Sequence, residues 1–204
     1  MIFLLYIFVA GKFITMNRKI AITGMPRTNK TLLALALSNM TDIPYIRSKT
    51  MYEWRWIFGI TSTVRLKWKD MLMIASSSFC DRAKTETYYD EFISDGASFS
   101  ELMWMKSNLA KPLRRQQNEV VESLEMLCAS YAARQYDFII HAGTSGNDDF
   151  YVQMYRQYQI PFNIYSTEFP EQSLKEILKD IHVPVKNSVE SSIYMAKTSL
   201  FIRH

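Results

Sequence analysis

The sequence predicts an α/β fold in three layers, a mostly parallel sheet flanked by helices, and three observations predict it. Short strand-like runs at Lys19-Ile20-Ala21-Ile22-Thr23, Phe92-Ile93-Ser94 and Phe138-Ile139-Ile140 are separated by long stretches with helical spacing. The first run passes through a glycine-led loop straight into an apolar helix, Leu32-Leu33-Ala34-Leu35-Ala36-Leu37. Strands that alternate with helices call for a parallel sheet covered on both faces.

The elements follow in order. Strand 19–23 leads to the helix that begins after Thr31, and Ile43-Pro44-Tyr45-Ile46-Arg47 reads as a short extended segment. The aromatic stretch Met51 to Phe58 follows and Gly59 ends it. From Ser62 to Tyr89 there is neither proline nor glycine, and Val64, Leu66, Trp68, Leu72, Ile74 and Ala75 predict a helix there. Phe92-Ile93-Ser94-Asp95-Gly96 is a buried strand stopped by a turn. Helices are expected from Phe99 to Leu109, ending before Pro112, and from Leu113 to Arg134, where Val120, Val121, Leu124, Leu127 and Cys128 recur at helical spacing. Tyr136 to His141 is a strand and Ala142 to Asp148 a loop. Asp149 to Gln159 is a helix, Phe162 to Tyr165 a strand and Glu171 to Ile181 a helix. The domain read this way spans residues 16–181; the tail 182–204 carries no clear pattern.

Composition bounds the class. At 204 residues, 48% hydrophobic and 22% charged, the chain is one globular domain with room for a core. A net charge of +4 is compatible with an anionic ligand, but it is small and spread along the chain, so nucleic-acid binding does not follow. Cys80 and Cys128 make neither a disulfide framework nor a CxxC metal pair, and a reducing cytoplasm is the simplest setting. Residues 1–15 form an apolar leader. The run Met1 to Ala10 is cut by Lys12, too short to span a bilayer and without a basic region ahead of it. A translation start at Met16 would place the first strand at the beginning of the domain.

The loop Gly24-Met25-Pro26-Arg27-Thr28-Asn29-Lys30-Thr31 carries the strongest functional signal. It matches GxxxxGK(S/T) between a strand and a helix, with one departure. In that pattern backbone N–H groups and the helix N-terminus point at phosphate oxygens, Lys30 neutralises charge, and the Thr31 hydroxyl takes Mg²⁺. Asn29 stands where the second glycine belongs. That position needs a positive φ or close approach to phosphate, and asparagine reaches left-handed backbone space more readily than most residues.

With the loop, the Glu91 to Phe99 block, the strand Tyr136 to Gly143 and Ile160-Pro161-Phe162-Asn163-Ile164-Tyr165 in this order, the chain resembles the P-loop nucleoside and nucleotide kinases. It is nearest to the AAA-type ATP-binding group related to the nicotinamide-ribonucleoside kinase domain of NadR. The resemblance implies a P-loop NTPase fold, ATP and Mg²⁺ as cofactors, and a nucleotide and a small-molecule acceptor as the bound partners. It places the ends of the Gly24, Asp95 and His141 strands together at one sheet edge. Lys30, Asp95 and Arg156 are the catalytic candidates, and Thr31 and Asp95 the metal candidates. Asp95 is either the general base on an acceptor hydroxyl or a Mg²⁺ holder through water; the alternative is an aspartate that only opens the Asp95-Gly96 turn. The family often carries Arg-Ser after this acid, and Gly96-Ala97 replaces the arginine here.

His141 ends its strand where many P-loop ATPases carry an acid, and a structural, hydrogen-bonded histidine is the favoured reading. Arg156 falls in the helix that would form the lid; a solvated arginine is the equal alternative. Asp148 and Asp149 cap that helix. Arg47, Lys49 and Thr50 open the acceptor side, with Tyr52, Trp54 and Trp56 available to stack, and core packing is expected for at least one of these tryptophans. Lys106, Lys111, Arg114 and Arg115 form a basic stretch, read as solvated surface ahead of a phosphate clamp. Two functions remain open: a kinase of a small metabolite, or a nucleotide-binding module with a degenerate site.

Overall fold

The computed structural model describes residues 18–24, 28–61, 63, 65–109, 112–143 and 150–201. The leader 1–15, Met16, Met25, Pro26, Arg27, Val64, Lys111, Asp148 and Asp149 lie outside them. The described residues form β1 (Lys19–Thr23), α1 (Lys30–Thr41), β2 (Tyr45–Ile46), α2 (Met51–Ile57), α3 (Trp68–Glu86), β3 (Phe92–Asp95) and α4 (Ser100–Ser107). They continue with α5 (Arg115–Gln135), β4 (Phe138–Ala142), α6 (Phe150–Gln157), β5 (Asn163–Tyr165), α7 (Pro170–Ile181) and α8 (Val189–Phe201). The strands pair in the order β2-β3-β1-β4-β5, and every pairing is parallel. The expected α/β fold is therefore present, with a sheet that is wholly parallel among the described strands.

Successive strand residues point to opposite layers. Ile20, Ile22, Ile93 and Ile140 face α1, α7 and α8, whereas Ala21, Phe92 and Ile139 face α3, α4, α5 and α6. Helix α1 is buried nearly all round, which its unbroken apolar run requires. The sheet covers one side of it and α8 lies along the other.

Two elements were not foreseen. Helix α8 stands in the tail, fastened to α1 by Lys186 N–H to the Met40 carbonyl at 2.7 Å and Asn187 Nδ2 to the Asn39 carbonyl at 2.6 Å. Helix α2 occupies the aromatic stretch. Thr50 and Glu53 close a capping box there, the Thr50 N–H donating to Glu53 at 2.7 Å and the Glu53 N–H to Thr50 Oγ1 at 3.3 Å. The third helix begins at Trp68, where the Lys67 N–H donates to Asp70 at 2.8 Å; Ser62, the expected start, lies outside the described residues. Tyr136 is the C-cap of α5, not part of the strand.

Because α1 follows β1 onto one face and α4 follows β3 onto the other, the chain diverges between these neighbouring strands. A cleft opens at their carboxyl ends, where ligands of open α/β sheets bind.

Candidate phosphate-binding and acceptor site

At the end of β1, Gly24 has φ +150°, and a Cβ there would lie 2.3 Å from the Ala142 carbonyl oxygen at the end of β4. Only glycine lets the loop leave the sheet this close to its neighbour. The loop returns at Asn29, the N-cap of α1, with φ 54° and ψ 18°. Asparagine thus holds the left-handed conformation that the motif assigns to glycine. Lys30 begins α1 and lines a pocket of about 610 Å³ shared with Gly24, Thr31, Asp95 and residues of α4.

Asp95 pairs with Ile22 across the β1–β3 ladder, so the sheet register sets it opposite the loop. Its Oδ2 accepts from Thr31 Oγ1 at 2.8 Å and from the Tyr45 hydroxyl at 3.1 Å. Its Oδ1 is buried with no hydrogen-bond partner among the described residues. A hydroxyl, a carboxylate with one uncommitted oxygen and the first turn of a helix fit a hard divalent cation that also takes phosphate oxygens. Thr31 and Asp95 are the residues that would hold Mg²⁺.

Behind Asp95 lies a group that sequence reading missed. Arg82 of α3 is 5% exposed. Its Nη1 donates to Ser94 Oγ at 2.6 Å and to the Gly96 carbonyl at 3.1 Å, and Nη2 to Ser48 Oγ and to the Asp95 carbonyl at 3.3 Å. Ser48 Oγ donates to the same Asp95 carbonyl. Beneath the guanidinium, Glu86 lies 4.0 Å away and accepts from Tyr131 at 2.9 Å and Tyr136 at 3.0 Å. Burial acts to lower the Arg82 pKa, but Glu101, Tyr136, Glu86 and Asp95 outweigh it and raise it above the ordinary value. Arg82 therefore stays charged, a guanidinium set across the Asp95-Gly96 turn from another helix. A lone arginine inside a helix pattern carries no sequence signal for this role.

Away from Gly24, Lys30 and Thr31, the pocket is lined by Ser48, Lys49, Thr50, Glu101, Trp104 and Tyr151, among others. Lys49 is ion-paired with Asp81 and lies over the Trp54 ring, 5.2 Å from its centroid. Among the described residues, the aromatic rings that line the pocket are those of Trp104 on α4 and of Phe150 and Tyr151 on α6. Trp54 is buried and stacked on Phe58, as expected for one of these tryptophans, while Tyr52 and Trp56 are 77% and 83% exposed. Arg47 pairs with Glu53 at 2.9 Å outside the pocket.

The structure leaves other candidates away from this centre. Arg156 is on the exposed side of α6 and is not among the pocket-lining residues. His141 is fully buried, with Nδ1 3.4 Å from Thr23 Oγ1 and the Tyr151 and Tyr155 rings around it. That is the structural histidine expected. Lys106 is half-buried and pairs with buried Glu125 of α5 at 2.5 Å, outside the pocket lining. Arg114 and Arg115 are exposed.

No protein-family model matches the sequence, and no curated protein matches it either. Solved structures do match by fold. A deoxyadenosine kinase from M. mycoides with bound dATP superposes at a TM-score of 0.58 and 13% identity, over 80% of this chain and 99% of that one. A sugar kinase from Janibacter sp. gives 0.40 at 12% identity, over 82% and 95% of the two chains. The YorR protein of Bacillus subtilis, in complex with phosphorylated GDP, gives 0.43 at 12%, over 80% and 95%. Among the described residues no helix is long and apolar enough to cross a membrane. The chain has a P-loop kinase-like fold, and Gly24, Lys30, Asp95 and the pocket they line lie at the carboxyl edge of its sheet.

Proposed function

We propose that this protein binds ATP with Mg²⁺ and transfers the γ-phosphoryl group to a small metabolite such as a nucleoside or nucleotide. The carrying observation is the 2.8 Å bond from Thr31 to Asp95 at the head of α1, which sets a hydroxyl and a carboxylate beside the phosphate loop and at the mouth of the pocket. Bound Mg²⁺ would supply charge neutralisation on the phosphates. Residues 24–31 cradle the phosphates, Lys30 neutralises β- and γ-oxygens, and Thr31 and Asp95 present oxygen ligands. Arg156 enters this reading as a lid cation brought in by movement of α6. Catalysis of this kind rests on positioning and electrostatics more than on covalent chemistry. Kinship with NadR-type kinases rests on the sequence pattern alone.

A second reading, a nucleotide-binding module with little transfer, is favoured by the placement of Arg156 outside the pocket lining. Incubation with Mg²⁺-ATP and a panel of nucleosides and nucleotides decides between them, with Lys30→Ala and Asp95→Asn as controls. Phosphorylated product from the wild type, lost in both variants, supports the kinase. Nucleotide binding without product from any acceptor supports the module.

A further inference from the structure

Two carboxylates line the pocket, Asp95 and Glu101, and their surroundings differ. Asp95 is 7% exposed at a strand end, with Oδ2 taken by Thr31 and Tyr45 and its carbonyl held by Ser48 and Arg82. It faces the loop and the N-terminus of α1. Glu101 stands in the first turn of α4, half-buried, and its carboxylate makes no hydrogen bond or ion pair among the described residues. It shares the acceptor half of the pocket with the Trp104 ring, and of the acidic groups around Arg82 it acts most strongly on that guanidinium.

We infer that Glu101, not Asp95, is the general base for the acceptor hydroxyl, and that the acceptor is a neutral alcohol carrying no phosphate. The inference rests on the kinase reading and divides its roles: Asp95 serves the phosphate side and Glu101 the acceptor side. In the transfer, the Glu101 carboxylate takes the acceptor's O–H proton and the acceptor oxygen bonds to the γ-phosphorus. The bond from that phosphorus to the β–γ bridging oxygen breaks, its electron pair leaving with ADP. The products are ADP, a phosphate monoester and protonated Glu101.

Charge decides the acceptor class. A phosphorylated acceptor would bring a dianion beside Glu101 and would need an uncommitted cation to receive it. Among the described residues, Lys49 lines this side of the pocket and is committed to Asp81, while Arg82 lies behind the Asp95-Gly96 turn, outside the lining, with Nη1 and Nη2 committed to Ser48, Ser94 and two backbone carbonyls. A neutral nucleoside, its base against Trp104 and a sugar hydroxyl at Glu101, meets none of these costs.

The test compares the wild type with Glu101→Gln and Glu101→Asp on two panels, the common ribo- and deoxyribonucleosides and their monophosphates, with Mg²⁺-ATP. Nucleotide binding is followed by titration of a fluorescent ATP analogue. Expected are product from a nucleoside and none from a monophosphate. In Glu101→Gln, kcat should fall about 10²–10⁴-fold with analogue affinity unchanged, and Glu101→Asp should recover part of the loss. Wild-type turnover of a nucleoside with kcat unchanged in Glu101→Gln overturns the base assignment and leaves the kinase standing. Preference for a monophosphate overturns the neutral acceptor. Absence of product from the wild type with every acceptor overturns the kinase reading and this inference with it.

Discussion

The guanidinium of Arg82 donates to the Gly96 carbonyl at 3.1 Å, and a Cβ on Gly96 would lie 2.9 Å from its Nη2. The glycine at the end of β3 makes room for an arginine delivered from α3. Gly96 also holds φ +102°, which other residues rarely adopt. Gly96→Ala is expected to cost about 1–3 kcal/mol in urea unfolding. Arg82→Met leaves Glu86 buried without its cation and is expected to cost about 3–5 kcal/mol. If Gly96→Ala unfolds at the wild-type midpoint, the crowding of Arg82 is not real.

Asn29 carries a left-handed φ of 54° on a side chain that makes no cap hydrogen bond. Asn29→Gly relieves the backbone strain without losing a contact and should raise stability by about 1 kcal/mol. Asn29→Val should lower it by a similar amount. Thermal unfolding of the three proteins checks the order, and equal midpoints would show that the loop does not depend on this conformation.

Glu86 gives a pH dependence. Burial raises its carboxyl above the ordinary 4.5, against the opposing effects of Arg82 and of hydrogen bonds from Ser94, Tyr131 and Tyr136. The folded protein then keeps this proton to higher pH than the unfolded chain does. Stability from this group is full below pH 4.5 and is lost as pH rises through the folded value. Glu86→Gln mimics the protonated acid, so the difference in urea midpoint should move in its favour from about pH 4.5 upward. A difference that stays constant across the range refutes the assignment.

Ile193 of α8 is buried against the layer that contains α1 and α7. Ile193→Ala should cost about 2–4 kcal/mol in chemical denaturation. A loss under about 0.5 kcal/mol, the scale of a surface substitution, would mean that α8 is not part of the fold's core.

Arg156 distinguishes a lid from a solvated helix. Its exposed position predicts an unfolding midpoint within about 0.5 kcal/mol of wild type for Arg156→Ala. In the kinase reading kcat falls about 10²-fold, and unchanged kcat in an active enzyme would remove Arg156 from the mechanism.

Sequence by itself determined whatever is local or periodic. The strand–glycine–loop–helix order placed Lys30 and Thr31, the chemistry of asparagine foretold the φ of Asn29, and the alternation of elements specified a parallel sheet. Helix α2 was also legible, since Thr50 and Glu53 have capping-box spacing. Tertiary structure alone decided the rest. Arg82 reaches Asp95 and Gly96 because α3 packs beside β3, and α8 exists as a layer because α1 is apolar on the side facing away from the sheet. Lys106 found Glu125, and Glu101 came to line one pocket with Lys30 and Asp95, across distances in sequence that no spacing rule spans. Local backbone preferences act within a few residues, whereas the pairing of buried charges is set by which faces the hydrophobic layers bring together.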